Sequence, residues 1–195
     1  MEIRALTPAL LSDYLRFFDD VAFSDHEEWS FCYCTYFHLG REDEKRLEEA
    51  HRGTFHRDVM REVAIGFVRD GTLKGYLAYE GGAVVGWLNA QDKRNYAKIR
   101  ESADLWKDDP GARAMAVTCF IVAPDARRRG VATALLNRAV EDAAREGYDF
   151  VEAYPANGEL DCFLHYHGHP AMYESCGFRL HSAFEHYSIY RRTLP

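Results

Sequence analysis

Residues 114–133 read AMAVTCFIVAPDARRRGVAT. The first nine form an almost unbroken apolar run, which Pro124 ends. Such a run reads as a central strand buried on both faces. Beyond the turn, a helix is expected over 128–146. Val131, Leu135, Ala139 and Ala143 share one of its faces, and Gly147 stops it. FVEAY (150–154) supplies the next strand. Strand 114–122, helix 128–146 and strand 149–154 together predict a parallel crossover unit.

Upstream, LKGYLAY (73–79) and AVVGWLNA (83–90) flank Glu80-Gly81-Gly82 and predict a hairpin. Residues 2–6 suggest a first strand. Thr7 as N-cap and Pro8 at the first helical position then start a helix carrying Leu10, Leu11, Tyr14, Leu15 and Phe18. The aromatic-rich stretch 24–39 has no clear period. Residues 41–50, REDEKRLEEA, read as a solvated helix. Phe55, Val59, Val63 and Phe67 mark one face of a helix over 54–69. Residues 91–112 are polar, with a turn at Asp109-Pro110-Gly111. Residues 155–169 form a loop rich in Gly, His and aromatics. A short helix near 170–176 ends at Gly177, and two terminal strands follow. With no repeat, low-complexity tract or linker, residues 1–195 are expected to form one domain. The fold class is α/β, or α+β, with a mixed sheet flanked by helices.

The 195 residues include 24 Lys or Arg and 31 Asp or Glu, for a formal charge of −7. An acidic balance argues against a general nucleic-acid binder. The longest uncharged runs fall far short of the ~20 apolar residues that span a bilayer. The amino-terminal stretch lacks the basic start and apolar core of a signal peptide. Five cysteines, an odd number in a domain of this size, suggest reduced thiols and a cytoplasmic location.

The turn after the central strand carries the strongest chemical signal. A helix that opens on Arg-x-x-Gly-x-Ala presents unpaired N–H groups and a partial positive charge. Small residues at Gly130 and Ala132 let an anion such as pyrophosphate come close to the backbone. Neither the dinucleotide Gly-x-Gly-x-x-Gly nor a P-loop is present. Arg-Arg-Arg-Gly alone reads equally well as a solvated basic turn.

Two motifs together decide between these readings. Arg127, Gly130 and Ala132 resemble motif A of the GNAT (Gcn5-related N-acetyltransferase) superfamily, in which Arg/Gln-x-x-Gly-x-Gly/Ala follows the central strand. Downstream, Tyr173-Glu174-Ser175-Cys176-Gly177-Phe178 resembles motif B. The pair spans about 114–180, and the hairpin at 73–90 fits the order. The resemblance implies a GNAT-like splayed sheet, acetyl-CoA as co-substrate and direct acetyl transfer to an amine. It assigns the pyrophosphate to backbone N–H groups of the segment Arg127, Arg128, Arg129, Gly130, Val131, Ala132 and Thr133, chiefly from Arg128 onward. It assigns the pantetheine arm and thioester carbonyl to the backbone of Phe120, Ile121 and Val122. It makes Tyr173 the acid for the departing thiolate. Chemistry agrees, since a phenol with a reference pKa near 10 arrives protonated. Family members commonly carry an Asn shortly before this Tyr, where Tyr166 or His167 stands here. Glu152, His165 and His167 are candidates for a general base.

Other features are open to two readings. Cys32, Cys34 and His38, with Cys162, His165, His167 and His169, include zinc-ligand types. Their spacing is not that of a finger, and the simpler reading is buried thiols plus a His-rich loop at a pocket mouth, with no metal. Cys119 and Cys176 read as core residues. Trp29, Phe31, Tyr33, Tyr36 and Phe37 read as core or acceptor-pocket wall. The functional expectation is an N-acetyltransferase acting on a small-molecule or peptide amine, without nucleic acid or membrane, and with homodimers common among relatives. The alternative is an acyl-CoA-binding sensor of the same fold.

Overall fold

The apolar runs on either side of Gly81-Gly82 fold as the expected hairpin, and the sheet grows outward from it. The structure, a computed structural model, describes residues 1–51, 56–106, 111–158 and 165–195. Its first half comprises β1 (Glu2–Ala5), α1 (Leu11–Arg16), α2 (Arg41–Ala50), α3 (Arg57–Asp70), β2 (Gly75–Glu80) and β3 (Ala83–Asp92). Its second half comprises α4 (Ala97–Glu101), α5 (Ala103–Trp106), β4 (Ala114–Val122), α6 (Val131–Arg145), β5 (Phe150–Ala153), α7 (Pro170–Ser175), β6 (Arg179–Ala183) and β7 (Ser188–Thr193). The sheet order is β1-β2-β3-β4-β5-β7-β6. Only β4 and β5 run parallel, joined by the expected crossover through α6. This is a mixed α/β fold. No helix among the described residues is long and apolar enough to cross a membrane.

Two irregularities in β4 shape the site. Its ladder with β5 covers only Ala114–Val117 against Phe150–Ala153, although β4 continues to Val122. The sheet therefore splays beyond Val117. On the other edge, Val117 pairs with Ala90 and Cys119 with Asn89, which leaves Thr118 as an extra residue. Such a bulge bends a strand and redirects its side chains.

Helices cover both faces. The α6 face predicted from Val131, Leu135, Ala139 and Ala143 is buried. On the opposite face Tyr14 of α1 meets the fully buried Trp87 edge-on at 5.1 Å. Burying each such aromatic contributes about 2 kcal/mol or more.

Three expectations need correction. The first helix is not uniform. A 3₁₀ turn at Pro8–Leu10 precedes α1, and a π turn at Phe17–Val21 follows it. The wider turn, closed by Ala22 N–H to the Phe17 carbonyl at 2.8 Å, lets Phe17 and Phe18 both point inward. Thr7 precedes the first turn but makes no side-chain cap. In α3 the buried stripe is Met60, Ala64 and Val68, with Val63 and Phe67 beside it; Phe55 lies outside the described residues. The described residues between 93 and 106 form a 3₁₀ turn at Lys93–Asn95 followed by α4 and α5. The expected turn at Asp109-Pro110 also lies outside the described residues.

The aromatic stretch 24–39 runs as short turns that fill the space beside β3. Tyr33 is fully buried and donates its hydroxyl to Asp19, while its carbonyl receives the Tyr14 hydroxyl. The charged α2 lies solvated, as expected, and its first N–H at Arg41 is capped by the Glu101 carboxylate of α4 at 3.1 Å.

Candidate acetyl-CoA site

The helix expected from residue 128 begins three residues later. Arg128 and Gly130 both adopt left-handed backbone, with φ of 63° and 83°. Together they turn the chain from the end of β4 into the N-terminus of α6. Gly130 is the N-cap and offers no side-chain cap, and the first turn carries no acidic residue. The opening N–H groups of α6 therefore face outward without an internal acceptor, as helix geometry requires. A Cβ placed on Gly130 would meet nothing within 4 Å, so the space over the helix end is open. An open, positively polarised helix end fits a phosphate or pyrophosphate.

The three arginines of the turn are not equivalent. Arg127 ion-pairs with Asp25 and donates Nε to the Val122 carbonyl at 3.2 Å. That pairing holds the Asp25 carboxyl below its usual range. Arg129 pairs with Glu80 at 2.8 Å. These two side chains brace the turn against the 24–39 segment and the hairpin. Arg128 lies near His169, whose imidazole is held below its usual range by burial, by His165 and by Arg128. The His165 and His169 rings lie against one another, tilted by 32° with centroids 3.7 Å apart.

From the turn, β4 leads back into the splay. Tyr173, on α7, is fully buried against Phe120 and Phe178. Burial raises its phenol well above the ordinary value, so it stays protonated at neutral pH. Its hydroxyl donates to the His167 carbonyl at 2.6 Å. A splayed β4, a left-handed turn into an open helix end and a buried tyrosine behind the strand thus lie along one edge.

The acetyltransferase (GNAT) family model matches residues 9–178, most of the chain. This chain is a member of the GNAT acetyltransferase family. A comparison with curated proteins returns no significant match. Solved GNAT folds resemble it over nearly their whole length. A GNAT acetyltransferase from Listeria monocytogenes aligns with a TM-score of 0.60 and 16% identity, covering 99% of this chain and 94% of its own. A GCN5-related N-acetyltransferase from Kribbella flavida gives 0.56 and 19%, covering 99% and 97%. A ribosomal-protein-alanine N-acetyltransferase from Brucella melitensis gives 0.52 and 18%, covering all of both chains. Identities this low speak to the fold alone.

In this GNAT chain the remaining sequence candidates separate clearly. Glu152 is fully buried, and both its oxygens are engaged. Lys93 Nζ and the Tyr154 hydroxyl reach Oε1 at 2.6 and 2.7 Å, and Arg191 Nε reaches Oε2 at 2.6 Å. It serves the framework. His167 borders the splay, 5.6 Å from the Phe37 ring, and its Nδ1 is buried without a partner. His165 Nδ1 is likewise buried and unpartnered. The Cys34 thiol and burial raise Cys32 well above the usual thiol value, and burial with the Cys119 thiol does the same for Cys34. All four described cysteines are free. Among the described residues no group of three or more His, Cys, Asp or Glu could hold a metal. Cys162 lies outside them.

One cluster escaped the sequence reading. His38 is buried beside Asn89 and Gln91 of β3. Asn89 Nδ2 lies 3.1 Å from His38 Nε2 and also donates to the Cys34 carbonyl, while Asn89 Oδ1 accepts from the Tyr96 hydroxyl at 2.8 Å. That polarity makes His38 Nε2 an acceptor, so the ring is neutral. Burial pushes its pKa down to about 4. The unfolded chain therefore binds a proton between pH 6.5 and 4 that the folded chain refuses. Stability is expected to fall as pH drops through that window, by about 3 kcal/mol from His38 alone. Urea unfolding from pH 7 to 4 measures this. His38→Gln should flatten the slope, and an unchanged slope in that variant would contradict the assignment.

Proposed function

We propose that this GNAT chain moves an acetyl group from acetyl-CoA directly to an amine of a small molecule or peptide. The observation that carries the reading is the open N-terminus of α6, set by left-handed Gly130 at the end of a strand that has parted from its neighbour. In this reading the N–H groups from Arg128 to Thr133 cradle the pyrophosphate. The β4 edge at Phe120, Ile121 and Val122 pairs with the pantetheine amides. When bound, acetyl-CoA supplies an activated thioester at the splay. Tyr173 then acts as the acid, because burial keeps its proton on and its ring packs against Phe120 of β4. Phe37 and the turns before it wall the acceptor side. The reading takes residues 1–195 as one domain of a cytoplasmic enzyme that uses neither nucleic acid nor a membrane.

Gly130→Val is expected to weaken acetyl-CoA binding by about tenfold or more. A β-branched residue resists φ near +83°, and its side chain fills the space above the helix end. Equilibrium titration of the folded variant measures it, and wild-type affinity would remove the cradle from the account. The activity itself is tested by incubating the protein with acetyl-CoA and a panel of aminoglycosides, polyamines and peptides, with products read by mass spectrometry. An acetylated amine is expected. Tight acetyl-CoA binding with no acetylated product across the panel would favour a non-catalytic acyl-CoA sensor.

A further inference from the structure

Two donors that the proposed reading gives to the thioester are already engaged, both by one loop. The Phe120 N–H donates to the Tyr166 carbonyl at 2.6 Å. The Tyr173 hydroxyl donates to the His167 carbonyl at 2.6 Å. Consecutive carbonyl oxygens thus meet an N–H of the strand that the reading assigns to the pantetheine arm and thioester, and the phenol it assigns to the departing sulfur. The loop is anchored. Gly168 N–H closes back to the His165 carbonyl at 2.8 Å, and the His167 ring packs on Phe37. Two surface recesses among the described residues lie elsewhere, one on the outer face of α6 at Arg138 and Glu141, the other beside β6 at Arg179 and Leu180.

We propose that residues 165–168 form a backbone plug that occupies the thioester end of the cofactor groove, so that acetyl-CoA binds only as the plug withdraws from β4 and Tyr173. This inference rests on the proposed acetyl-CoA reading. Gly168 is the residue that permits the plug. Its φ is +81°, and a Cβ there would lie 3.0 Å from Tyr173 Cε2, 3.1 Å from its hydroxyl and 2.7 Å from Met172 Cε. Any side chain at 168 therefore strains the plugged form, while a withdrawn loop is free to relax. A plug of main-chain carbonyls also has a functional consequence: it keeps two strong donors satisfied while the groove holds no cofactor.

The test is a pair of calorimetric titrations with acetyl-CoA, on the wild-type protein and on Gly168→Ala, with folding checked by circular dichroism. The variant is expected to bind about tenfold more tightly. Equal or weaker binding by a folded variant overturns the plug and leaves the acetyl-CoA reading standing. Absence of binding by both proteins overturns the acetyl-CoA reading and the plug with it. Amide exchange on the wild-type protein gives an answer that does not depend on the variant folding. Saturating acetyl-CoA should speed exchange at Gly168 and leave Phe120 slow, because the loop leaves while the cofactor takes over the strand donor. Slowed or unchanged exchange at Gly168 in the complex would contradict withdrawal.

Discussion

Tyr173→Phe is expected to lower kcat on the order of a thousandfold while leaving acetyl-CoA binding no weaker than in the wild-type protein. General-acid catalysis contributes roughly 10²–10⁴-fold, and only the hydroxyl is removed. The ring, which packs between Phe120 and Phe178, stays. Loss of its hydrogen bond to the His167 carbonyl loosens the loop and not the cofactor. The split between kcat and binding is the informative feature. Steady-state kinetics with an acceptor found in the amine panel, together with titration of acetyl-CoA, measure both. Unchanged turnover across the pH range would remove Tyr173 from the chemistry.

Glu152→Ala is expected to destabilise the fold by about 3–5 kcal/mol. The carboxylate is fully buried, and it neutralises Lys93 and Arg191, which are themselves nearly buried. Removing it strands the Lys93 ammonium in the interior and takes the carboxylate from Arg191, the costly way to break a buried pair. The network ties β5 to the turn after β3 and to β7, so its loss should loosen the sheet on the β5 side of the splay. At this chain length the melting temperature should fall by about 10 °C or more. Thermal and urea unfolding read the effect directly. A loss below about 1 kcal/mol would contradict this role for Glu152. The same geometry explains why Glu152 is poorly suited as a general base, although a carboxylate next to the central strand invited that reading.

How far the sequence alone reached depended on what kind of contact made each feature. The hairpin and the β4–α6–β5 crossover were readable because apolar periodicity, Pro124 and the glycines act locally. The bulge at Thr118 was not, because a continuous apolar run has no period to interrupt. The start of α6 was expected three residues early, since an arginine at 128 gives no sign of a left-handed backbone. The segment 24–39 buries Tyr33 and His38 through turns with no regular spacing, so neither periodicity nor propensity could place them. Glu152 finds its cations 59 residues upstream and 39 downstream, a pairing that only the sheet order creates. In the candidate site, the open helix end at Gly130 was legible from residue types, because glycine and small residues are what a close-approaching phosphate needs. The loop against β4 was not, because it acts through the carbonyls of Tyr166 and His167, which every residue possesses.

The central claim is that the groove along β4 and the open end of α6 hold acetyl-CoA. Calorimetric titration of the purified protein with acetyl-CoA, with dephospho-CoA and ATP as controls, tests it most directly and needs no acceptor. The account predicts saturable binding of acetyl-CoA, and none of ATP at the same concentrations. No binding of acetyl-CoA at high concentration, or binding indistinguishable from that of ATP, would contradict it.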